Sequence, residues 1–174
     1  MTLLLNYKNV VSNKSGANVI YLVDEKFNIL NLKKYTNNSE YSFLKDLLKT
    51  SDIKKEILNF EINSEKTIIL VSLKKVSSKS GAEKLGAKLY SHIIQKIKST
   101  YFIDTNPMPL KQRDLLGHFL HGIKLKSYTF EKYKSKKEKK KISLTVVGKN
   151  IPTKKDQIKF KALEEGTFFA RDLV

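Results

Sequence analysis

Residues 66–104 have the sequence KTIILVSLKKVSSKSGAEKLGAKLYSHIIQKIKSTYFID. The first part, residues 66–73, is nearly continuous apolar and rich in Ile and Val, which predicts a strand buried on both faces. Apolar residues then recur at every fourth position, which predicts a helix. These residues are Leu85, Leu89, Ile93 and Ile97. Ser80 and Glu83 have capping-box spacing, so we expect the helix to start there. Residues 100–104 predict a second strand, which makes this stretch a strand–helix–strand unit.

The same patterns extend to the rest of the chain. Further strands are predicted over residues 2–7, 17–23, 57–62, 125–133 and 142–148. Further helices are predicted over residues 41–49 and 110–124, and from Thr153 to the end. Residues 57–62 and 66–73 are separated by three polar residues and predict a hairpin.

Strands and helices alternate, which predicts an α/β fold with a mixed β-sheet flanked by helices on both faces. The parallel pairs need crossover connections, which the helices over 83–98 and 110–124 supply. The last helix carries an apolar stripe that we expect to pack on the rest of the domain. This stripe contains Ala162, Gly166, Phe169, Ala170 and Leu173. Phe168 is predicted to point away from it.

The composition limits the classes of function. The 174 residues are 40% hydrophobic and contain no cysteine, which permits a real core and excludes disulfides and thiolate metal sites. The N-terminal residues lack a basic segment followed by a long apolar run, so we expect no signal peptide and no membrane span. The net charge of +17 favours contact with anionic partners. Its cations are nearly all Lys, whereas base readout in the major groove depends on Arg.

Candidate catalytic groups are sparse. His118 and His121 lie three residues apart on the helix over 110–124, a spacing that could provide half of a metal site, but the pattern favours a solvated surface. The glycines are scattered, so no phosphate-binding loop is predicted. The neighbouring Arg171 and Asp172 predict a surface ion pair of small energetic value. We therefore predict no catalytic and no metal-binding residue in this chain.

Two segments together resemble the leucyl aminopeptidase (cytosol aminopeptidase) family of metallopeptidases. The first is HGIKLKSYTFEKYKSKK at 121–137, and the second is FKALEEGTFFARDLV at 160–174. The matching residues of the first are Gly122, Tyr128, Phe130, Tyr133 and Lys134. Those of the second are Ala170, Arg171, Asp172, Leu173 and Val174. In the family, the second segment continues through Asn-Glu-Pro into a larger catalytic domain.

The resemblance implies that residues 1–152 form the N-terminal, macro-domain-like domain of an aminopeptidase. Residues 153–174 would be the helix that leads toward an absent C-terminal catalytic domain, and Phe168 would contact protein outside the N-terminal domain. The family's two divalent metal ions, Zn or Mn, are held by Lys, Asp and Glu of the catalytic domain. The implied whole protein is a cytoplasmic homo-hexamer that hydrolyses N-terminal residues from peptides.

Two alternatives remain at this stage. Residues 132–141, KYKSKKEKKK, are the densest basic run and could track phosphates as part of a nucleic-acid-binding module. A solvated hairpin loop explains the same run, and this interpretation is preferred because Tyr128 and Phe130 alternate as sheet residues. A macro-domain-like fold also suggests a nucleotide or ADP-ribose binder, although the scattered glycines speak against it.

Overall fold

The computed structural model describes residues 2–9, 17–73, 78–96, 98–130 and 141–173. Within these ranges the strands are β1 (Thr2–Lys8), β2 (Asn18–Val23), β3 (Ile57–Glu61), β4 (Thr67–Ser72), β5 (Thr100–Asp104) and β6 (Lys141–Val147). The helices are α1 (Asn38–Thr50), α2 (Lys79–Ile94), α3 (Arg113–Lys126) and α4 (Lys154–Asp172). Short 3₁₀ segments cover Leu30–Lys34 and Leu110–Gln112.

The described strands form one sheet in the order β1-β6-β5-β2-β4-β3. All neighbouring strands are parallel except β3 and β4, which pair as the predicted antiparallel hairpin. The predicted mixed sheet is therefore confirmed. Every residue of β4 is buried, as its continuous apolar sequence predicted. The parallel connections from β4 to β5 and from β5 to β6 contain α2 and α3, which supply the crossovers.

Alternate residues of the strands build two separate cores, because successive side chains of a strand point to opposite faces. Ile20, Leu22 and Val71 join the apolar side chains of α2 and α3 in one core. Val19 and Tyr21 join Leu44 of α1 in the other. Helices therefore cover both faces of the sheet, as predicted.

The start of α2 differs from its prediction. The N-cap is Ser78, whose side chain accepts a hydrogen bond from the Gly81 amide, and not Ser80. Several serines precede this helix, so the capping-box spacing selected the wrong one. Glu83, the supposed partner of Ser80, instead contacts His118 of α3.

This difference gives a matched pair of substitutions. Ser78→Ala is expected to lower the free energy of unfolding by about 1 kcal/mol, because an amide of the first helical turn loses its acceptor. Ser80→Ala removes no such bond and, on an exposed helical position, is expected to change stability by less than about 0.5 kcal/mol. Urea unfolding followed by circular dichroism measures both variants. Equal losses, or a larger loss in Ser80→Ala, would contradict the Ser78 cap.

The strand predicted over residues 125–133 is wrong in its described part. Leu125 and Lys126 belong to α3, and residues 127–130 are not in a strand. The helix continues because the Ser127 amide still bonds to the carbonyls of Ile123 and Lys124. Residues 131–133 lie outside the described ranges, as does the predicted charged loop except for Lys141, the first residue of β6.

The face of α4 that packs on the domain is also opposite to the predicted one. Phe169 is 66% exposed and Leu173 is 68% exposed, and Ala162, Gly166 and Ala170 are exposed as well. Glu164 is buried instead, and Phe160 and Phe168 are half-buried. Residues 160, 164 and 168 recur at every fourth position, so they lie on one side of the helix. This side meets α3, and the predicted stripe faces solvent.

Candidate functional site at the junction of α3 and α4

The two segments that resemble the aminopeptidase family meet in space at the junction of α3 and α4. Gly122 of the first segment lies where α3 crosses α2. A Cβ atom at this position would lie 2.0 Å from the Glu83 carbonyl oxygen, and one at Gly86 would lie 2.0 Å from the Phe119 carbonyl oxygen. The two glycines thus form a reciprocal contact of two helix backbones, which fixes the position of α3.

Tyr128 and the last turn of α4 form the centre of this junction. The Tyr128 hydroxyl donates to Asp172 Oδ1 at 2.6 Å, and this hydrogen bond raises the pKa of the phenol. The Tyr128 ring lies 5.2 Å from the Phe168 ring and 5.4 Å from the Arg171 guanidinium carbon. Arg171 Nη1 also donates to the Leu125 carbonyl at 3.0 Å. Together these contacts fasten the end of α4 to the end of α3.

The predicted ion pair between Arg171 and Asp172 is replaced by contacts with Tyr128 and Leu125. Phe168 packs on Tyr128 of the same chain, and its contact with protein outside the domain stays a prediction. Phe130 is 37% exposed. Tyr133, Lys134 and Val174 lie outside the described residues.

The two histidines belong to a packed helix interface, so their assignment to a solvated surface is wrong. Phe160 of α4 lies between them, with ring centroids 5.0 Å from His118 and 5.2 Å from His121. His118 Nδ1 lies 2.8 Å from Glu83 Oε1 of α2. His121 is buried, and its Nδ1 lies 3.4 Å from Glu164 Oε1. Sequence spacing could not identify these acidic partners, because they come from different helices.

Glu164 is a buried carboxyl group at the inner side of α4. Burial raises its pKa to about 7, and burial lowers the pKa of the facing His121. The nearby Lys124 acts in the opposite direction on Glu164 but contributes less than burial. A cavity of about 500 Å³ adjoins the carboxyl group and is also lined by Tyr7, Lys124, Lys161 and Phe160. Burial and the Glu164 charge raise the pKa of Tyr7 to about 12.

These side chains attach α4 to the rest of the domain.

In the described part of the chain, no group of three or more His, Cys, Asp or Glu side chains could hold a metal ion. A groove of about 460 Å³ runs between α2, α3 and the end of α4, and its lining includes Lys84, Lys126 and Arg171 together with Glu83. Among the described helices, none is long and apolar enough to cross a membrane.

Comparison with solved structures places this fold beside leucine aminopeptidases. A mutant of tomato leucine aminopeptidase matches 94% of this chain with a TM-score of 0.62 and 14% identity. The cytosol aminopeptidase of Coxiella burnetii matches 98% of it with a TM-score of 0.57 and 11% identity. BotP, a bottromycin maturation enzyme solved in complex with Mn, matches 90% with a TM-score of 0.57 and 13% identity.

These matches cover only 35%, 32% and 31% of the respective solved chains, so this chain spans about a third of their length. At such low identity the likeness is one of fold. No protein-family profile matches the sequence, and no curated protein matches it.

Proposed function

We propose that this chain is the N-terminal, non-catalytic domain of a metal-dependent leucyl aminopeptidase. The observation that carries the proposal is the meeting of Tyr128 with Phe168, Arg171 and Asp172. The two segments chosen for their resemblance to one family are far apart in sequence, yet their side chains bond to each other. The similarity of the fold to about a third of two aminopeptidase chains supports the aminopeptidase part of this proposal.

In this proposal residues 1–152 form a macro-domain-like body and residues 153–174 form the helix toward the catalytic domain. The contacts of Tyr128 and Arg171 give that helix a fixed direction, which would hold the two domains in one relative orientation. Phe168 sits at this end of α4 and would extend the contact to the catalytic domain. The domain would thereby assist assembly of a homo-hexamer and shape access to its active sites.

The catalytic step would take place entirely in the catalytic domain. Two divalent ions, Zn or Mn, would be held there by Lys, Asp and Glu side chains of that domain and would supply Lewis-acid chemistry for hydrolysis of an N-terminal peptide bond. This chain would contribute no metal ligand and no proton-transfer group. The cytoplasmic location and the peptide substrates belong to the proposal for the whole enzyme.

An activity assay tests the proposal. The 174-residue chain is expected to release no p-nitroaniline from leucine p-nitroanilide in the presence of Mn²⁺ or Zn²⁺, because its described residues include no group of side chains that could hold a metal ion. The same chain joined to the catalytic domain encoded with it is expected to be active and to lose activity with a chelator. Chelator-sensitive turnover by the 174 residues alone would contradict the non-catalytic assignment.

A further inference from the structure

One side of α4 is apolar and exposed along almost the whole helix. We define the outer face as Ile158, Ala162, Gly166, Phe169 and Leu173. These residues are spaced by three or four positions, so they lie on one side of the helix, away from the side that meets α3. Ile158, at the edge of this face, also borders the cavity beside Glu164. Ile158, Phe169 and Leu173 are each 66% to 69% exposed. Three large apolar side chains exposed within about 22 Å on one side of a helix, with only Ala162 and Gly166 between them, are an uncommon surface feature.

Gly166 lies in the middle of the outer face, and packing within this chain gives no reason for it. A Cβ atom added there would meet no atom within 4 Å. Glycine in a helix interior costs roughly 0.5–1 kcal/mol relative to alanine. A missing side chain at this position does, however, allow another helix backbone to approach closely.

The outer face is complementary to itself when two copies are placed antiparallel. If the two-fold axis passes between Glu165 and Gly166, Ile158 of one copy lies opposite Leu173 of the other. Phe169 then lies opposite Ala162, so that a large side chain meets a small one. A two-fold symmetric contact uses the same patch on both copies, which is the arrangement that this pattern fits.

The distribution of charge along α4 also favours an antiparallel arrangement of two copies. Lys154, Lys155, Lys159 and Lys161 outnumber Asp156 in its first half, whereas Glu164, Glu165 and Asp172 outnumber Arg171 in its second half. Antiparallel placement sets the basic half of each helix beside the acidic half of its partner. A parallel pair would instead bring the four lysines of each copy together, which is unfavourable.

We propose that two copies of this chain associate through antiparallel pairing of their α4 outer faces. A contact of one helix per copy is small, so we expect a dissociation constant of about 1–100 μM. The net charge of +17 opposes association, but salt at physiological strength screens it beyond about 8 Å. The proposal concerns the chain by itself and does not depend on an aminopeptidase function.

Sedimentation velocity over a concentration series tests the association. The unmodified chain is expected to change from monomer to dimer as its concentration rises to about 500 μM. Phe169→Glu should weaken the dimer at least about 10-fold, because a carboxylate would be buried in an apolar contact. Leu110→Glu is the matched control, since Leu110 is 75% exposed and lies outside α4. A chain that stays monomeric throughout, or equal weakening by both variants, would overturn the proposal and leave the face to another polypeptide.

Cysteine cross-linking tests the antiparallel arrangement, and the absence of native cysteine makes it unambiguous. A mixture of Ile158→Cys and Leu173→Cys chains is expected to give a disulfide-linked dimer on mild oxidation. Ile158→Cys chains alone should not cross-link, because their sulfur atoms would be about 22 Å apart. Efficient cross-linking of Ile158→Cys to itself would overturn the antiparallel pairing.

Discussion

Gly122→Ala is expected to lower the free energy of unfolding by about 3 kcal/mol or more. The new methyl group would lie 2.0 Å from the Glu83 carbonyl oxygen and 2.6 Å from the Glu83 Cα and carbonyl carbon. All three are backbone atoms of α2, so no side chain can move aside and the two helices must separate. Overpacking of this kind typically costs about 1–3 kcal/mol, and occasionally more, in a protein whose total stability is about 5–15 kcal/mol.

Gly166→Ala is the matched control, because it makes the same substitution in a helix where the methyl group meets no atom within 4 Å. Measured in dilute solution, it should raise stability by about 0.5–1 kcal/mol through helix propensity. Urea unfolding of both variants gives the comparison. Similar stabilities for Gly122→Ala and Gly166→Ala would show that α2 and α3 do not approach as closely as described.

Glu164→Gln is expected to stabilise the protein at about pH 8 and to change its stability little at about pH 5. Burial raises the pKa of Glu164 from 4.5 to about 7. A carboxyl group whose pKa is higher in the folded state contributes stability that is fully present below the unfolded pKa. That contribution is lost as the pH rises through the folded pKa. Glutamine keeps the shape of the neutral acid and cannot ionise.

The size of the effect follows from the separation of the two pKa values. Each pKa unit corresponds to about 1.4 kcal/mol, and solvent in the adjoining cavity screens part of it, so we expect about 1–3 kcal/mol. The groups facing Glu164 or its cavity include His121 and Lys124 of α3, Tyr7 of β1, and Lys161 and Glu165 of α4. Burial lowers the pKa of His121, so protonation of His121 affects the stability of the protein mainly at acidic pH.

Urea unfolding at several pH values measures this difference directly. Glu165→Gln is the control, because that side chain is 69% exposed and its substitution should give no comparable change between acidic and basic pH. If the stability difference between Glu164→Gln and the unmodified chain were the same at about pH 5 and pH 8, Glu164 would not have the raised pKa assigned to it.

The sequence predicted those parts of the fold whose signal is local and repeated. The continuous apolar run at 66–73 and the four-residue spacing from Leu85 to Ile93 correspond to β4 and α2. The predicted start of the last helix at Thr153 is also confirmed, because Thr153 is the N-cap of α4 and its hydroxyl accepts from the Asp156 amide. In each of these cases, a pattern of residues within the element itself was sufficient for the prediction.

The errors arose where tertiary contacts decide between two patterns of similar strength. Both sides of α4 carry phenylalanine, so periodicity could not determine whether Phe160 and Phe168 or Phe169 would be covered. The two-residue alternation of Tyr128 and Phe130 was too short to distinguish a strand from the end of a helix. The contact of His121 with Glu164 depends on the packing of α3 against α4, which no spacing within either helix reveals.

The most direct test of the central claim is to read the coding sequence downstream of the codon for Val174. The proposed function predicts that translation continues with Asn-Glu-Pro and later includes the family's Asn-Thr-Asp-Ala-Glu-Gly motif in a catalytic domain. A stop codon directly after Val174 would contradict the assignment to an aminopeptidase.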